Sequence, residues 1–278
     1  MNAPILVTGG TGTIGRRVVP LLTAVGREVR ILSRHPEQDA PGIRHVGGDT
    51  VAGTGLADAL SGVRTVLHLA GGAKGDDVAA RNLAAAALSA GVEHLILISV
   101  VGADRMPIGY FRAKAEAERT IVESGVPWTV LRAAQLHEFV LPIVRGLARL
   151  PITPVPTGLR FEPVHVDEVA ARLAAVALGT PAGRAPDIAG PEVLGVAELV
   201  AAYTELLGTR RARRPHLPVR LPGAVGRAYR AGDNLAGGSA IRGERGWAEF
   251  LAEQAAIGTP RTGPIENPKP RIENSQQK

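Results

Sequence analysis

The chain has 278 residues, enough for one large domain or for a larger domain carrying a smaller lobe. Hydrophobic residues make up 45% but aromatics only 3%, so any core must be built from Val, Leu, Ile and Ala, which suits a parallel sheet buried on both faces. The lack of cysteine excludes disulfides, thiolate catalysis and cysteine metal sites, and the net charge of +6 owes much to Arg210, Arg211, Arg213 and Arg214, a cluster that reads as a solvated loop without the aromatic interleaving of a nucleic-acid surface.

Residues 4–8 (PILVT) form a short apolar run that leads directly into glycines. This is the pattern of a strand and not of a signal peptide, and a cytoplasmic location is expected. Ile14, Val18, Leu21, Leu22 and Val25 then recur at helical spacing, with Pro20 expected to kink or shorten that helix. Strands are predicted at 28–33, 43–47, 65–69, 94–99 and 128–131, with helical stretches between them, including one at 110–124. The longest apolar region, 84–101, is broken by Glu93 and His94 and is no membrane span, so neither a membrane nor a nucleic-acid partner is expected.

Strands alternating with helices predict right-handed crossovers and a doubly wound α/β sheet of the Rossmann type. The second half is less regular. Helices are predicted at 137–150 and 168–178, the latter with Asp167 as its N-cap, and proline-rich spacers lie at 151–156 and 215–222. The expected organisation is a nucleotide-binding core over 1–134, a smaller substrate lobe over 135–257 packed on it, and a disordered tail over 258–278, where four prolines and few apolar residues occur.

Residues 8–15 read TGGTGTIG, between a strand and an amphipathic helix. Gly9 permits a tight turn off the strand, Gly12 lets the backbone approach a pyrophosphate, and Gly15 lets the helix pack closely on the sheet. The second strand ends in Leu32-Ser33-Arg34, without the acid that usually takes the ribose hydroxyls of NAD. Arg34 can instead fork onto the 2′-phosphate of NADP(H). Asp49, after the third strand, is either a partner for the adenine amino group or a turn former.

Tyr110 and Lys114 are spaced to share one face of a predicted helix. The ammonium is expected to lower the phenol's pKa, and such a tyrosine can deliver a proton to a carbonyl oxygen as hydride reaches carbon. Ser99 ends the preceding strand and is expected to hydrogen-bond the same oxygen. Gln135, His137 and Phe139 follow the sixth strand, where they can line a pocket for a small-molecule substrate. His165 and Asp167 are expected to shape the corner between the lobes. No His, Asp and Glu pattern has metal-ligand spacing, so no metal is expected.

With these residues in hand the sequence resembles the short-chain dehydrogenase/reductase superfamily, most closely its atypical, NmrA-like, NAD(P)H-binding branch. The segments that carry the resemblance are TGGTGTIG (8–15), LSR (32–34), GD (48–49), HLAGG (68–72), LISVVGAD (97–104), YFRAKAEAE (110–118), PWTVLRAAQLHEF (127–139), EPVHVDEVA (162–170) and RGWAEFLAE (245–253). The resemblance implies that Gly9, Gly12 and Gly15 hold the pyrophosphate, with Thr11, Thr13 and Ile14 lining it. It implies that Leu69, Ala70 and Gly71 border the nicotinamide ribose, and that Lys114 hydrogen-bonds that ribose. Asn82 lies where many relatives place an asparagine. An NADPH-dependent oxidoreductase acting on a carbonyl, enone or imine-like compound is expected. The interval from Ser99 to Tyr110 is shorter than in most reductases of the superfamily. A non-catalytic NADP(H)-sensing regulator and a redox-neutral enzyme are therefore the alternative readings.

Overall fold

The computed structural model describes residues 3–72, 75–206 and 215–258. Six strands form in the first half: β1 (Ile5–Thr8), β2 (Val29–Ser33), β3 (Ile43–Gly47), β4 (Thr65–His68), β5 (His94–Val100) and β6 (Trp128–Ala133). They pair in parallel in the order β6-β5-β4-β1-β2-β3. Chain order reverses direction between β1 and β4, and ligands of open α/β sheets bind in the crevice at such a point.

The strands read as continuous apolar runs because both faces are covered. Ile5 and Val7 of β1, with Ile96 and Ile98 of β5, join one core cluster under α1 (Gly15–Ala24) and α6 (Val166–Leu178). Leu6, Leu95 and Leu97 alternate to the other face. There they meet α2 (Leu56–Leu60), α3 (Asp76–Ser89) and α4 (Gly109–Val122). Each such Leu, Ile or Val, fully buried, contributes roughly 1.5–3 kcal/mol. Pro20 sits inside α1, which ends four residues later.

Beyond residue 134 the chain still adds to the main sheet. The short strands β9 (Gly183–Arg184) and β10 (Ile188–Ala189) both pair with β6, and β13 (Ile241–Arg242) pairs with β10. The remaining elements build a separate apolar cluster at the carboxyl ends of the strands. It joins α5 (His137–Leu147), α7 (Val196–Leu206) and α9 (Trp247–Gly258), with Val140, Val144, Leu199, Trp247 and Phe250 at its centre. Two further pairs frame it: β7 (Thr153–Pro156) with β12 (His216–Val219), and β8 (Arg160–Phe161) with β11 (Leu194–Gly195). Helix α8 (Gly223–Ala231) lies between β12 and β13 in the chain.

The N-cap of α6 differs from the expectation. It is His165, whose Nδ1 accepts the amide of Asp167 at 3.2 Å. Asp167 instead pairs with Arg17 and Arg245, which ties α6 to α1 and to the segment before α9. The expected tail, apart from Gly258 at the end of α9, lies outside the described residues, as does the arginine cluster 210–214. Among the described residues no helix is long and apolar enough to cross a membrane.

Candidate active site

The turn after β1 and the loop after β4 meet at the switch point. Thr8 and His68 end adjacent strands, and their side chains are 2.6 Å apart (Oγ1 to Nδ1). Thr8 Oγ1 also accepts the amide of Ala70 at 3.3 Å. Burial holds the His68 imidazole neutral, with its pKa down at about 4. This pin keeps the two loops in register.

The three glycines answer different demands. Gly9 has φ +73°, and a Cβ there would lie 2.6 Å from the Ala70 nitrogen. A Cβ on Gly15 would overlap the Gly9 carbonyl oxygen, so this glycine lets α1 seat on the turn. At Gly12 the nearest protein atom to an added Cβ is the Gly9 oxygen, at 3.2 Å. Gly12 lines an open groove of about 470 Å³ with Gly9, Thr11, Arg34, Asp49 and Ala70. The amides of Thr13 and Ile14, at the start of α1, make no hydrogen bond within the described protein. Free amides at a helix N-terminus beside a glycine-floored groove fit a pyrophosphate.

Arg34 stands at the edge of this groove, exposed and without an ion pair among the described residues. Asp49 lines the same groove, but its Oδ1 accepts the amide of Val51 at 2.7 Å, so it shapes its turn as well. Asn82 is not brought to the groove. Its amide donates to the carbonyls of Thr50 and Val51 at 3.0 and 2.9 Å, bracing the groove wall from behind. Thr13 and Gly15 also lie off the groove lining.

A second cavity, about 590 Å³, opens beside the first, and Gly71 and Gly72 line both. Its walls are mainly apolar. Ile14, Leu69, Phe111, Phe139, Phe161 and Tyr229 contribute, and Ser99, Tyr110, Lys114 and Gln135 supply the polar groups. Ser99 is buried at the end of β5, and its hydroxyl has no hydrogen-bond partner among the described residues. Gln135 donates to the Asn234 carbonyl at 3.4 Å. His137 is not brought here. Its ring is fully buried, stacked on Phe250 with centroids 4.8 Å apart and close to Trp247.

The Tyr110 phenol is raised and not lowered as expected. Lys114 is buried in α4, and its Nζ lies 2.8 Å from Oδ2 of Asp76, also buried. The other carboxylate oxygen of Asp76 accepts the amide of Gly72 at 2.7 Å. Asp76 therefore balances the ammonium. Burial, with the Asp76 carboxylate adding to it, raises the Tyr110 phenol above its ordinary pKa. A Cβ on Gly71 would lie 2.7 Å from Lys114 Nζ, so glycine is what lets the lysine pass beneath this loop.

Sequence reasoning missed Asp76. It stands beside Asp77 in the first turn of α3, where acids are common for the helix dipole. The two differ only in the fold, Asp77 pairing with Arg81 on the surface at 3.4 Å. The available signal is its place at the start of the helix that follows β4, at the switch point.

This geometry, a dinucleotide groove joined to an apolar cavity through two glycines, is that of a nicotinamide-dependent oxidoreductase. The sequence profile of the NAD(P)H-binding family matches residues 9–148, and the chain belongs to that family, a branch of atypical short-chain reductases that use NAD(P)H. It is 34% identical over 217 residues to a (4-alkanoyl-5-oxo-2,5-dihydrofuran-3-yl)methyl phosphate reductase of Streptomyces griseus, covering 73% of this chain and 74% of the relative. It is 29% identical over 212 residues to an NAD(P)H azoreductase of Xenophilus azovorans, with the same coverage. The fold matches that of an NADPH-dependent quinone oxidoreductase from Escherichia coli complexed with NADPH. The TM-score is 0.77 and the identity 21%, over 90% of this chain and 99% of the other.

Proposed function

We propose that this protein uses NADPH to reduce an apolar, conjugated small molecule bearing a carbonyl, enone or imine-like group, with Tyr110 as proton donor. The observation that carries this reading is the apolar cavity that meets the nucleotide groove at Gly71 and Gly72, with Tyr110, Ser99 and Lys114 on its wall. Bound NADPH supplies a hydride to the acceptor carbon. The protein supplies the matching proton, and the pair makes a two-electron reduction.

The raised phenol is protonated at neutral pH, so Tyr110 is loaded as an acid and suits reduction better than the reverse reaction, which needs a base. The Ser99 hydroxyl, without a hydrogen-bond partner among the described residues, is available to hold the acceptor oxygen. Lys114 donates toward Asp76 and retains further N–H groups for the ribose. Arg34 forks onto the 2′-phosphate and favours NADPH over NADH.

Among the described residues, the only cationic side chain in the lining is Lys114, already paired with Asp76. This supports an uncharged reacting group. The names of the azoreductase and the quinone oxidoreductase point to flat conjugated compounds, and that of the dihydrofuran reductase adds a phosphate ester. The test is NADPH consumption against a panel of quinones, enones, azo compounds and imines, neutral and anionic. Turnover of neutral members is expected. NADPH binding with no turnover of any member would remove the reductase reading and favour a sensor.

A further inference from the structure

Helix α5 turns Val140, Leu141 and Val144 into the core of the lobe. Its other face presents Phe139 and Ile143, one turn apart, to solvent, at 61% and 51% exposure. Leu150 and Ile152 follow and are also exposed, as is Leu217 on β12, the strand paired with β7 directly after them. These apolar side chains start at the cavity mouth, because Phe139 lines it.

The exposed charges on these segments are arginines. Arg145 and Arg149 are exposed on the same segment. Arg220 is exposed directly after β12, the strand that carries Leu217. Residues 139–161 and 215–232 contain no Asp or Glu. These segments set exposed arginines beside an aliphatic stripe.

We propose that this face docks on an anionic lipid bilayer. The aliphatic side chains enter the boundary between headgroups and acyl chains, and the arginines meet the lipid phosphates. The cavity mouth then lies at the bilayer surface. A second copy of the chain fits this face poorly, since a two-fold interface would set arginines against arginines without an intervening acid. Nucleic acid would engage the arginines but leave the side chains of Ile143, Ile152 and Leu217 exposed. The expectation of no membrane partner rested on the lack of a spanning segment, which does not bear on surface docking.

The test is co-sedimentation of the full chain with vesicles of phosphatidylcholine, with and without phosphatidylglycerol. Binding is expected only when phosphatidylglycerol is present. Arg145→Gln/Arg149→Gln and Ile143→Glu/Leu150→Glu should each weaken it about tenfold or more, with melting temperatures unchanged. Failure of the wild type to bind overturns the proposal. So does binding that survives Ile143→Glu/Leu150→Glu, which would mark bare charge attraction of the kind nucleic acid also shows. Self-association of the wild type that Ile143→Glu abolishes would assign the face to a second copy and also overturn it. None of these outcomes depends on turnover, so the reductase reading stands or falls separately.

Discussion

Asp76 is the counter-ion of the site. Its carboxylate is shared between the Gly72 amide and the Lys114 ammonium, so the lysine's charge is spent on it and not on the phenol. The Tyr110 phenol is raised by burial first and by Asp76 second. A group needed as an acid loses function as pH climbs through its pKa, so the alkaline limb of kcat should lie above that of a free tyrosine, near pH 10. Asp76→Asn removes one cause of the rise and frees Lys114 to act on the phenol. That limb should then shift to lower pH, and stability should fall by about 3 kcal/mol because a buried ammonium loses its partner. A stability loss with an unmoved pH profile would make Asp76 a purely structural counter-ion.

At the level of elements, the ends of strands carry the recognition. Arg34 follows the last residue of β2 and lines the groove without an ion pair among the described residues. Arg34→Ala should weaken NADPH binding by about 1.5–3 kcal/mol and leave NADH binding nearly unchanged, as titration of both cofactors would show. Equal wild-type affinities would contradict the assignment. Packing of the lobe should be acid-sensitive. His137, buried against Phe250 and Trp247, has its pKa lowered to about 3, chiefly by burial. It is neutral when folded but takes a proton when unfolded below its ordinary value of 6.5. Its contribution is therefore complete above pH 6.5 and is lost as pH falls toward about 3. His68 acts in the same direction, toward about 4. The melting temperature should fall on acidification below 6.5, and His137→Leu should flatten that fall. Parallel curves for the two proteins would place the sensitivity elsewhere.

The limits of sequence reading follow from the same elements. β1 to β6 were legible within about two residues because each is an apolar run bounded by turns, and the glycine turn was legible because it joins a strand to a helix. β9, β10 and β13 are two residues each, too short for any period to register. His137 looked like a pocket residue because it follows a strand end. Only the packing of α9, distant in sequence, shows that its ring is enclosed. Asp76 was hidden for a similar reason, since its partner lies on another helix.

For the molecule as a whole, the sheet's switch point holds the nucleotide groove, and the lobe built from α5, α7 and α9 stands beyond the strand ends. The apolar cavity lies between sheet and lobe, with walls from β5, β6, α4 and α5. In the proposed reaction, hydride delivery is completed by a proton from Tyr110. Mixing NADPH-loaded protein with an acceptor found by screening, and following NADPH absorbance in a single turnover for the wild type and for Tyr110→Phe, tests this step. The substitution should slow reduction by about 10²–10⁴-fold while NADPH affinity is unchanged. Reduction by Tyr110→Phe at the wild-type rate would contradict it and leave Tyr110 a packing residue at the cavity wall.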